Sequence, residues 1–328
     1  MTMKELALMA GVSAAAVSRY LNGGSLSEEK SKRIQAAIQA TGYHPDSVAR
    51  TLRTKTTNLV GLIVPKTDSD AVTEVTAGVA SALAEHQYLS LLADTANDHS
   101  QELAYLNLFQ KQQVAGIIFM ATVMTPELEQ ALRSAAVPIV VTGQKFRQVP
   151  CVYHDDQGAA YELTSLMLAR GRRRLAYIGV TEDDVAVGVN RLRGVQAAMA
   201  DQGLDPAGLL VETGGFRVEN GLTSMKRLLE RDGGIDGVIC ATDRIAVGAM
   251  EVLRQSGRRL PEDVSVTGMD DSWAGNYVSP RLTTAHFYYR SSGETAAAML
   301  VDMIHKRQRP GPVQQTMLGY TIVHRESV

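Results

Sequence analysis

From Leu59 onward the chain repeats one pattern: a short apolar run, a turn, then a segment whose apolar residues recur every three or four positions. Strand candidates are Leu59–Val64, Leu89–Ala93, Gly116–Met120, Ile139–Thr142, Leu175–Val180, Leu209–Glu212, Gly237–Ala241 and Val264–Met269, with a last strand-like run at Thr316–Val323. Helical segments between them include Glu74–His86, Gln101–Gln112, Ala159–Arg170, Arg191–Gln202 and Ile245–Ser256. Strands this apolar must be covered on both faces, and amphipathic helices between them supply the cover, so the pattern dictates parallel sheets in an α/β fold. Residues 58–328 are long enough for two such units with a cleft between them. No Gly-x-Gly-x-x-Gly follows the first strand, so a dinucleotide site is not supported.

The first 57 residues do not share this pattern. Thr2 can cap a helix in which Met3, Leu6, Ala7 and Ala10 recur at helical spacing. Gly11-Val12 breaks it, and Ser13 is placed to cap a second helix that runs through Asn22 and ends at Gly23-Gly24. On that helix Ala14, Val17 and Leu21 fall on one apolar arc, with Ala15, Arg19 and Asn22 on the other side. Ser27 is placed to cap a third helix, with Glu28 and Glu29 in its first turn and Ile34, Ala37 and Ile38 facing inward. A helix, a tight glycine turn and a second helix with a polar outer face form a helix-turn-helix, although a small protein-interaction module has the same helical pattern.

Charge adds to this reading. Residues 1–57 hold eight basic and four acidic side chains, so the head is +4 and the remainder −6 within a chain of net charge −2. A basic module on an acidic body suits a polyanionic partner for the head alone. On duplex DNA the second helix enters the major groove, where Arg19 can donate a bidentate pair to guanine. Ser13 and Asn22 would then hold phosphates, which sets register without reading bases.

The literal residues are more specific than the pattern. Ala10-Gly11-Val12-Ser13 and Ala16-Val17-Ser18-Arg19-Tyr20-Leu21-Asn22 closely resemble the head of the LacI/GalR family of bacterial transcriptional repressors, and the resemblance continues through Gly42-Tyr43-His44-Pro45 and Val48-Ala49-Arg50-Thr51-Leu52-Arg53. It implies a helix-turn-helix domain at 1–44, a hinge at 45–57, and a core at 58–328 of two Rossmann-like subdomains of periplasmic-binding-protein-like type. The DNA-facing set it implies is Thr2, Ser13, Ala14, Ala15, Ala16, Ser18, Arg19 and Asn22, with Val48, Leu52 and Arg53 from the hinge. One departure matters: Ala14-Ala15-Ala16 stands where family members often carry larger polar groups. A methyl group can touch a thymine methyl but reads no hydrogen-bond pattern, so base reading falls more heavily on Arg19. Asp46–Arg53 is too short for a stable isolated helix, and Val48 and Leu52 make one apolar edge that needs a partner. In the resembled family two hinge helices pack together on the operator, and a leucine matching Leu52 wedges into the minor groove. A plain linker with a nascent helix is the alternative.

In open parallel sheets, ligands sit beyond the carboxyl ends of the strands. Polar groups cluster there at Lys66-Thr67-Asp68, His154-Asp155-Asp156, Ala241-Thr242-Asp243 and Met269-Asp270-Asp271. Sugars ask for such a set, since hydroxyls pair with carboxylates and arginine while an apolar ring face stacks on an aromatic side chain. With only five Phe and one Trp in the chain, Phe216 and Trp273 stand out in polar segments. The resemblance extends over this core. It implies effector contacts by Arg193 in Arg191-Leu192-Arg193-Gly194, by Asp270, by the stacking ring of Phe216, by Thr242 and Asp243, and by Asp156. Asp243 could instead cap the helix near Arg244, and Trp273 is either a ligand platform or core. Lys66 and Arg147, each just beyond a strand, could meet the phosphate of a sugar phosphate or be solvated surface cations.

Adjacent carboxylates at 155/156 and 270/271 do not predict two acids flanking a scissile bond, and no nucleophile–base set stands out, so neither an enzyme nor a cofactor is expected. No Cys/His cluster has zinc spacing. Cys151 and Cys240 lie in apolar segments, as buried thiols of a cytoplasmic protein do. There is no apolar run of about 18 residues to span a membrane and no export signal, and a periplasmic binding protein would have no DNA-binding head. The expectation is a cytoplasmic, homodimeric repressor of carbohydrate-utilisation genes. It would bind a roughly palindromic duplex operator under control of a small sugar or sugar phosphate. With no heptad tail after the last strand, a tail-mediated tetramer is not expected.

Overall fold

The computed structural model describes residues 1–21, 24–43, 57–306 and 312–328. The hinge expectations at Val48, Leu52 and Arg53, and the phosphate contact at Asn22, lie outside the described residues. Internal contacts divide the chain into two compact units, Met1–Thr57 and Asn58–Val328.

In the head, Thr2 opens α1 (Met3–Met9) with a reciprocal cap: its hydroxyl accepts from the Glu5 amide at 3.3 Å, and its own amide donates to the Glu5 carboxylate at 2.8 Å. Gly11 turns the chain at φ +61°, and the Ser13 hydroxyl accepts from the Ala16 amide at 3.2 Å to start α2 (Ala14–Leu21). Ser27 precedes α3 (Glu28–Thr41) but makes no side-chain cap, so the dipole there is met by Glu28 and Glu29 alone. Leu6, Val17 and Ile34 are fully buried and, with Tyr43, form the head's core. Arg33 on α3 donates to the carbonyls of Ala10 (3.0 Å) and Gly11 (2.7 Å), which pins the turn between α1 and α2.

The second unit holds two six-stranded sheets with helices on their faces. The first comprises β1 (Leu59–Val64), β2 (Leu89–Asp94), β3 (Gly116–Met120), β4 (Ile139–Thr142), β5 (Cys151–His154) and β11 (Gln315–Leu318), in the order β11-β5-β4-β3-β1-β2, all parallel. The second comprises β6 (Leu175–Val180), β7 (Leu210–Gly214), β8 (Gly237–Cys240), β9 (Ser265–Met269), β10 (Thr283–Phe287) and β12 (Tyr320–Val323). Its order is β12-β10-β9-β8-β6-β7, parallel except for β12 against β10. Every strand expected from the sequence is present, with ends within a residue or two. The run at Thr316–Val323 is split, because Gly319 separates β11 from β12 and sends each into a different sheet. Cys151 and Cys240 are free and buried, as expected.

The connecting helices are α4 (Asp70–Glu85), α5 (His99–Lys111), α6 (Pro126–Arg133), α7 (Asp156–Ala169), α8 (Arg191–Asp201), α9 (Val218–Arg231), α10 (Asp243–Gln255) and α11 (Tyr289–Lys306). The chain passes from one subdomain to the other at β5–α7, at β10–α11 and at Gly319. α11 returns to pack on α4, and the approach is so close that a Cβ at Gly293 would lie 2.1 Å from the Val75 carbonyl oxygen. That contact fixes the start of α11, and with it Tyr289, against the first subdomain.

Candidate ligand-binding site

Both sheets show the same 2-1-3-4-5 arrangement of their parallel strands, so both direct their strand carboxyl ends to one cleft. The cleft encloses a cavity of about 400 Å³, within the range of small-molecule sites. From the first subdomain the walls are Lys66 after β1, Met120 and Thr122 at the end of β3, Gln144 after β4, and His154 and Asp156 at the end of β5. From the second they are Asp184 and Arg191 after β6, Phe216 after β7, Thr242 after β8, Asp270 after β9 and Tyr289 after β10.

Arg191 organises this wall. It is only 3% exposed and opens α8 directly from a π-helical turn, Val185–Asn190. Its Nε donates to Asp156 at 2.8 Å; one terminal nitrogen donates to the Ala241 carbonyl and lies 3.5 Å from Asp270. Its guanidinium also sits 4.9 Å from the centroid of the Phe287 ring. Asp270 accepts from the Tyr289 hydroxyl at 2.6 Å. Asp270 and Asp271 both have positive φ, +120° and +53°, a cost that the surrounding bonds must hold. They do so through Asp270 N to the Ala285 carbonyl at 2.9 Å, and through Asp271 to His286 and Arg325.

Burial pushes Asp156 up to about 6 against the pull of Arg191, which leaves it ionised at neutral pH as the partner of a permanently charged guanidinium. Burial likewise raises Asp270. His154 goes the other way: burial, then the charge of Arg191, lowers it to about 4, so its ring is neutral. Packed 5.3 Å from Phe287 and 5.1 Å from Tyr289, it keeps an Nε2 without a hydrogen-bond partner among the described residues. Sequence reasoning noted His154 only as part of a polar cluster. Arg191, Gln144, Asp184 and Tyr289 were not assigned to the site at all.

Three ties span the cleft. Lys66 Nζ lies 4.5 Å from the centroid of the Phe216 ring, and burial lowers the pKa of this lysine. Gln144 donates to Asp184 at 2.7 Å and accepts from the Ala186 amide at 3.1 Å. Arg244 on α10 reaches Asp70 on α4 at 3.6 Å.

The expected site residues are thus partly gathered. Lys66, Asp156, Phe216, Thr242 and Asp270 line the cavity. Arg193 does not: two residues past Arg191 on a helix is a rotation of about 200°, which leaves it exposed on the opposite flank. Arg147 is exposed and also off the wall. Trp273 is 67% exposed and lines a separate cavity. Asp243 neither lines the cavity nor caps α10, a task done by the Thr242 hydroxyl. It is wholly buried behind the wall, accepting from the Ser272 amide and the Thr284 hydroxyl, each at 2.6 Å.

Burial, with Asp270 adding to it, raises Asp243 to about 7. A carboxylate raised by folding stabilises most below its unfolded value and loses that contribution as pH climbs through the folded one. Between pH 4 and 7 it therefore tilts core stability downward. In Asp243→Asn that tilt should vanish, so whatever the offset in absolute stability the wild-type Tm should fall relative to the variant's as pH rises from 5 to 8. Parallel curves would contradict the assignment.

In the head, Ser13, Ala15 and Arg19 are exposed along α2, while Ala14, Ala16 and Ser18 are half-buried. The Thr2 hydroxyl is engaged in its cap. A Cβ at Gly24 would lie 2.6 Å from Arg19 Cγ, so glycine there leaves room for the arginine stem.

Comparison with known proteins agrees with both units. Residues 2–46 match the family described as bacterial regulatory proteins, lacI family, and residues 164–328 match the periplasmic binding protein-like domain. The transcriptional regulator CelR of Thermobifida fusca is 34% identical over 315 residues, which is 92% of either chain. This chain belongs to the LacI family of DNA-binding transcriptional regulators. A solved CelR–cellobiose complex aligns with a TM-score of 0.76 at 30% identity over the whole of both chains. The lac repressor dimer bound to operator and the anti-inducer ONPF aligns at 0.88 over 100% of this chain and 98% of that one; at 21% identity it speaks for the fold. Among the described residues no helix is long and apolar enough to cross a membrane.

Proposed function

We propose that this regulator is a cytoplasmic, homodimeric repressor of carbohydrate-utilisation genes whose operator affinity is set by a small sugar or sugar phosphate in the cleft. The observation that carries the ligand class is the wall itself. Asp156 and Asp270, both paired with Arg191, sit beside a neutral His154, with Phe216 opposite, which is what a ring with many hydroxyls and one apolar face requires. The cellobiose in the related CelR structure supports a saccharide. Asp156 and Asp270 are both engaged by Arg191 and Asp184 by Gln144, which favours binding over general acid–base chemistry. A dimer is supported by edge strand β2, where Leu89, Leu91 and Leu92 are 61%, 43% and 42% exposed and ask for cover.

Melting the full chain against a panel of mono- and disaccharides and their phosphates tests this. At a hundredfold excess over Kd a ligand adds about 2.7 kcal/mol, so the right sugar should raise Tm by roughly 5–10 °C. A panel without any shift above 1 °C counts against the carbohydrate assignment. A preference for phosphate esters that is lost in Lys66→Ala would assign the phosphate to Lys66.

In the head, the exposed Arg19 is the base-reading group. Arg19→Ala should cost about 1–3 kcal/mol on the cognate operator and far less on random DNA, measured by anisotropy at fixed salt. Equal losses on both would make it a phosphate contact.

A further inference from the structure

Where the chain crosses between the subdomains, β11 lies beside β5 and β12 beside β10. Those edges of the two sheets adjoin, so the far end of the cleft lies at the opposite edges, β2 and β7. Residues that end or follow each of the five parallel strands line the cavity in both sheets, from His154 and Tyr289 at the crossover end to His99 and Phe216 at the far end. With strands about 4.8 Å apart, four spacings make a trough of roughly 19 Å. One hexose ring is about as wide as one spacing, so a monosaccharide leaves most of this length unused.

The polarity of the lining follows the same axis. Arg191, with Asp156, Asp270 and Tyr289, forms one hydrogen-bonding group toward the crossover end. Met120 and Val123, at the end of the central strand β3, make an apolar stretch. Polar side chains return at the far end with Asn97 and His99 after β2, while Gly214 and Gly215 at the end of β7 line the cavity with bare backbone. Two polar ends on either side of an apolar stretch match two hydroxyl-bearing rings joined through one oxygen.

His99 carries a second sign of a binding role. Its Nδ1 lies 3.2 Å from the Glu102 carboxylate, whose side chain is only 2% exposed, and burial raises the pKa of that carboxyl. Enclosing a carboxylate against an imidazole that is itself 45% exposed adds little stability, because desolvation offsets the attraction. What the pair does is fix one ring nitrogen, which leaves Nε2 as the one open to a ligand.

We propose that the cleft takes a disaccharide lengthwise, one ring held by the Arg191 group and the second held at the far end by His99, with Glu102 positioning the imidazole. The proposal rests on the carbohydrate reading above and narrows it to a two-ring ligand.

Calorimetry on the full chain tests it with cellobiose, maltose, lactose and sucrose, each beside its component monosaccharides. At least one disaccharide should bind ten or more times as tightly as either of its components. For that disaccharide, His99→Ala should weaken binding at least fivefold while the affinity of the component monosaccharide stays within twofold; Asp270→Asn should weaken both. Glu102→Gln should reproduce the selective loss in part, which a merely structural role would not do. A chain that binds no sugar of either size fails at the carbohydrate reading, and the proposal falls with it. A monosaccharide that binds as tightly as every disaccharide containing it, or a His99→Ala loss that is absent or equal for both sizes, overturns the proposal alone.

Discussion

Replacing Arg191 with Met is expected to destabilise the core by about 3–5 kcal/mol and to abolish ligand binding in the cleft, whereas Arg193→Ala should stay within about 0.5 kcal/mol of wild type. Met keeps much of the volume, so the loss reports charge rather than a hole. Without the guanidinium, Asp156 and Asp270 are left as enclosed carboxylates with no counter-charge in contact, and the Ala241 carbonyl loses its donor. In a chain of this size the deficit corresponds to a fall in Tm of roughly 6–20 °C. It should also shrink as pH falls. Asp156 already sits near 6 with Arg191 present, and losing that cation moves it higher, so protonation at pH 5 relieves the penalty. An Arg191→Met protein as stable as wild type at pH 8, or a ligand affinity that follows Arg193 instead, would show that the wall has been misread.

That pair of arginines also marks how far the sequence could be read. Both stand in Arg191-Leu192-Arg193-Gly194, and choosing between them needs the phase of α8 relative to β6. The phase is set by the π-helical turn Val185–Asn190, whose Val-Ala-Val-Gly-Val-Asn has no distinctive pattern. The parallel strands were legible because Leu59–Val64 or Leu175–Val180 are nearly continuous apolar runs, as sheets covered on both faces require. β10 was not, since its Thr283 and Thr284 are buried by partners remote in sequence: Thr283 with Arg325 and Ser327, and Thr284 with Asp243. Thr316–Val323 was legible as extended chain, but periodicity does not say which sheet a strand joins, and Gly319 divides it between two. Lys66, Asp156, Phe216, Thr242 and Asp270 line the cavity because strand ends in such folds converge on the cleft. Trp273 and Asp243 lie off it for the opposite reason. Each follows a strand end closely, yet the next one or two residues turn away, Trp273 outward and Asp243 inward beneath the wall.

Asp270 is the second residue on which a large effect should fall. Asn keeps its size, tolerates positive φ and still accepts from Tyr289, so Asp270→Asn removes little beyond the charge. A hydrogen bond from a ligand hydroxyl to an enclosed carboxylate contributes roughly 1.5–3 kcal/mol, so the variant should bind its sugar about ten- to a hundred-fold more weakly. The head is a separate compact unit, so affinity for operator without ligand should be unchanged. The substitution should therefore yield a protein that holds DNA and answers its effector only at much higher concentration, whether the effector releases DNA or promotes binding.

The central claim, that ligand in this cleft sets operator affinity, is tested most directly by anisotropy of a labelled operator selected from a random-sequence pool. Wild type and Asp270→Asn are each titrated with DNA at increasing concentrations of the sugar that most raises Tm. Saturating sugar is expected to shift the wild-type operator Kd at least about fivefold, and the variant to start from the same Kd but need about ten times more sugar for the same shift. An operator Kd that saturating sugar does not move, or a variant that responds at wild-type concentrations, would contradict it.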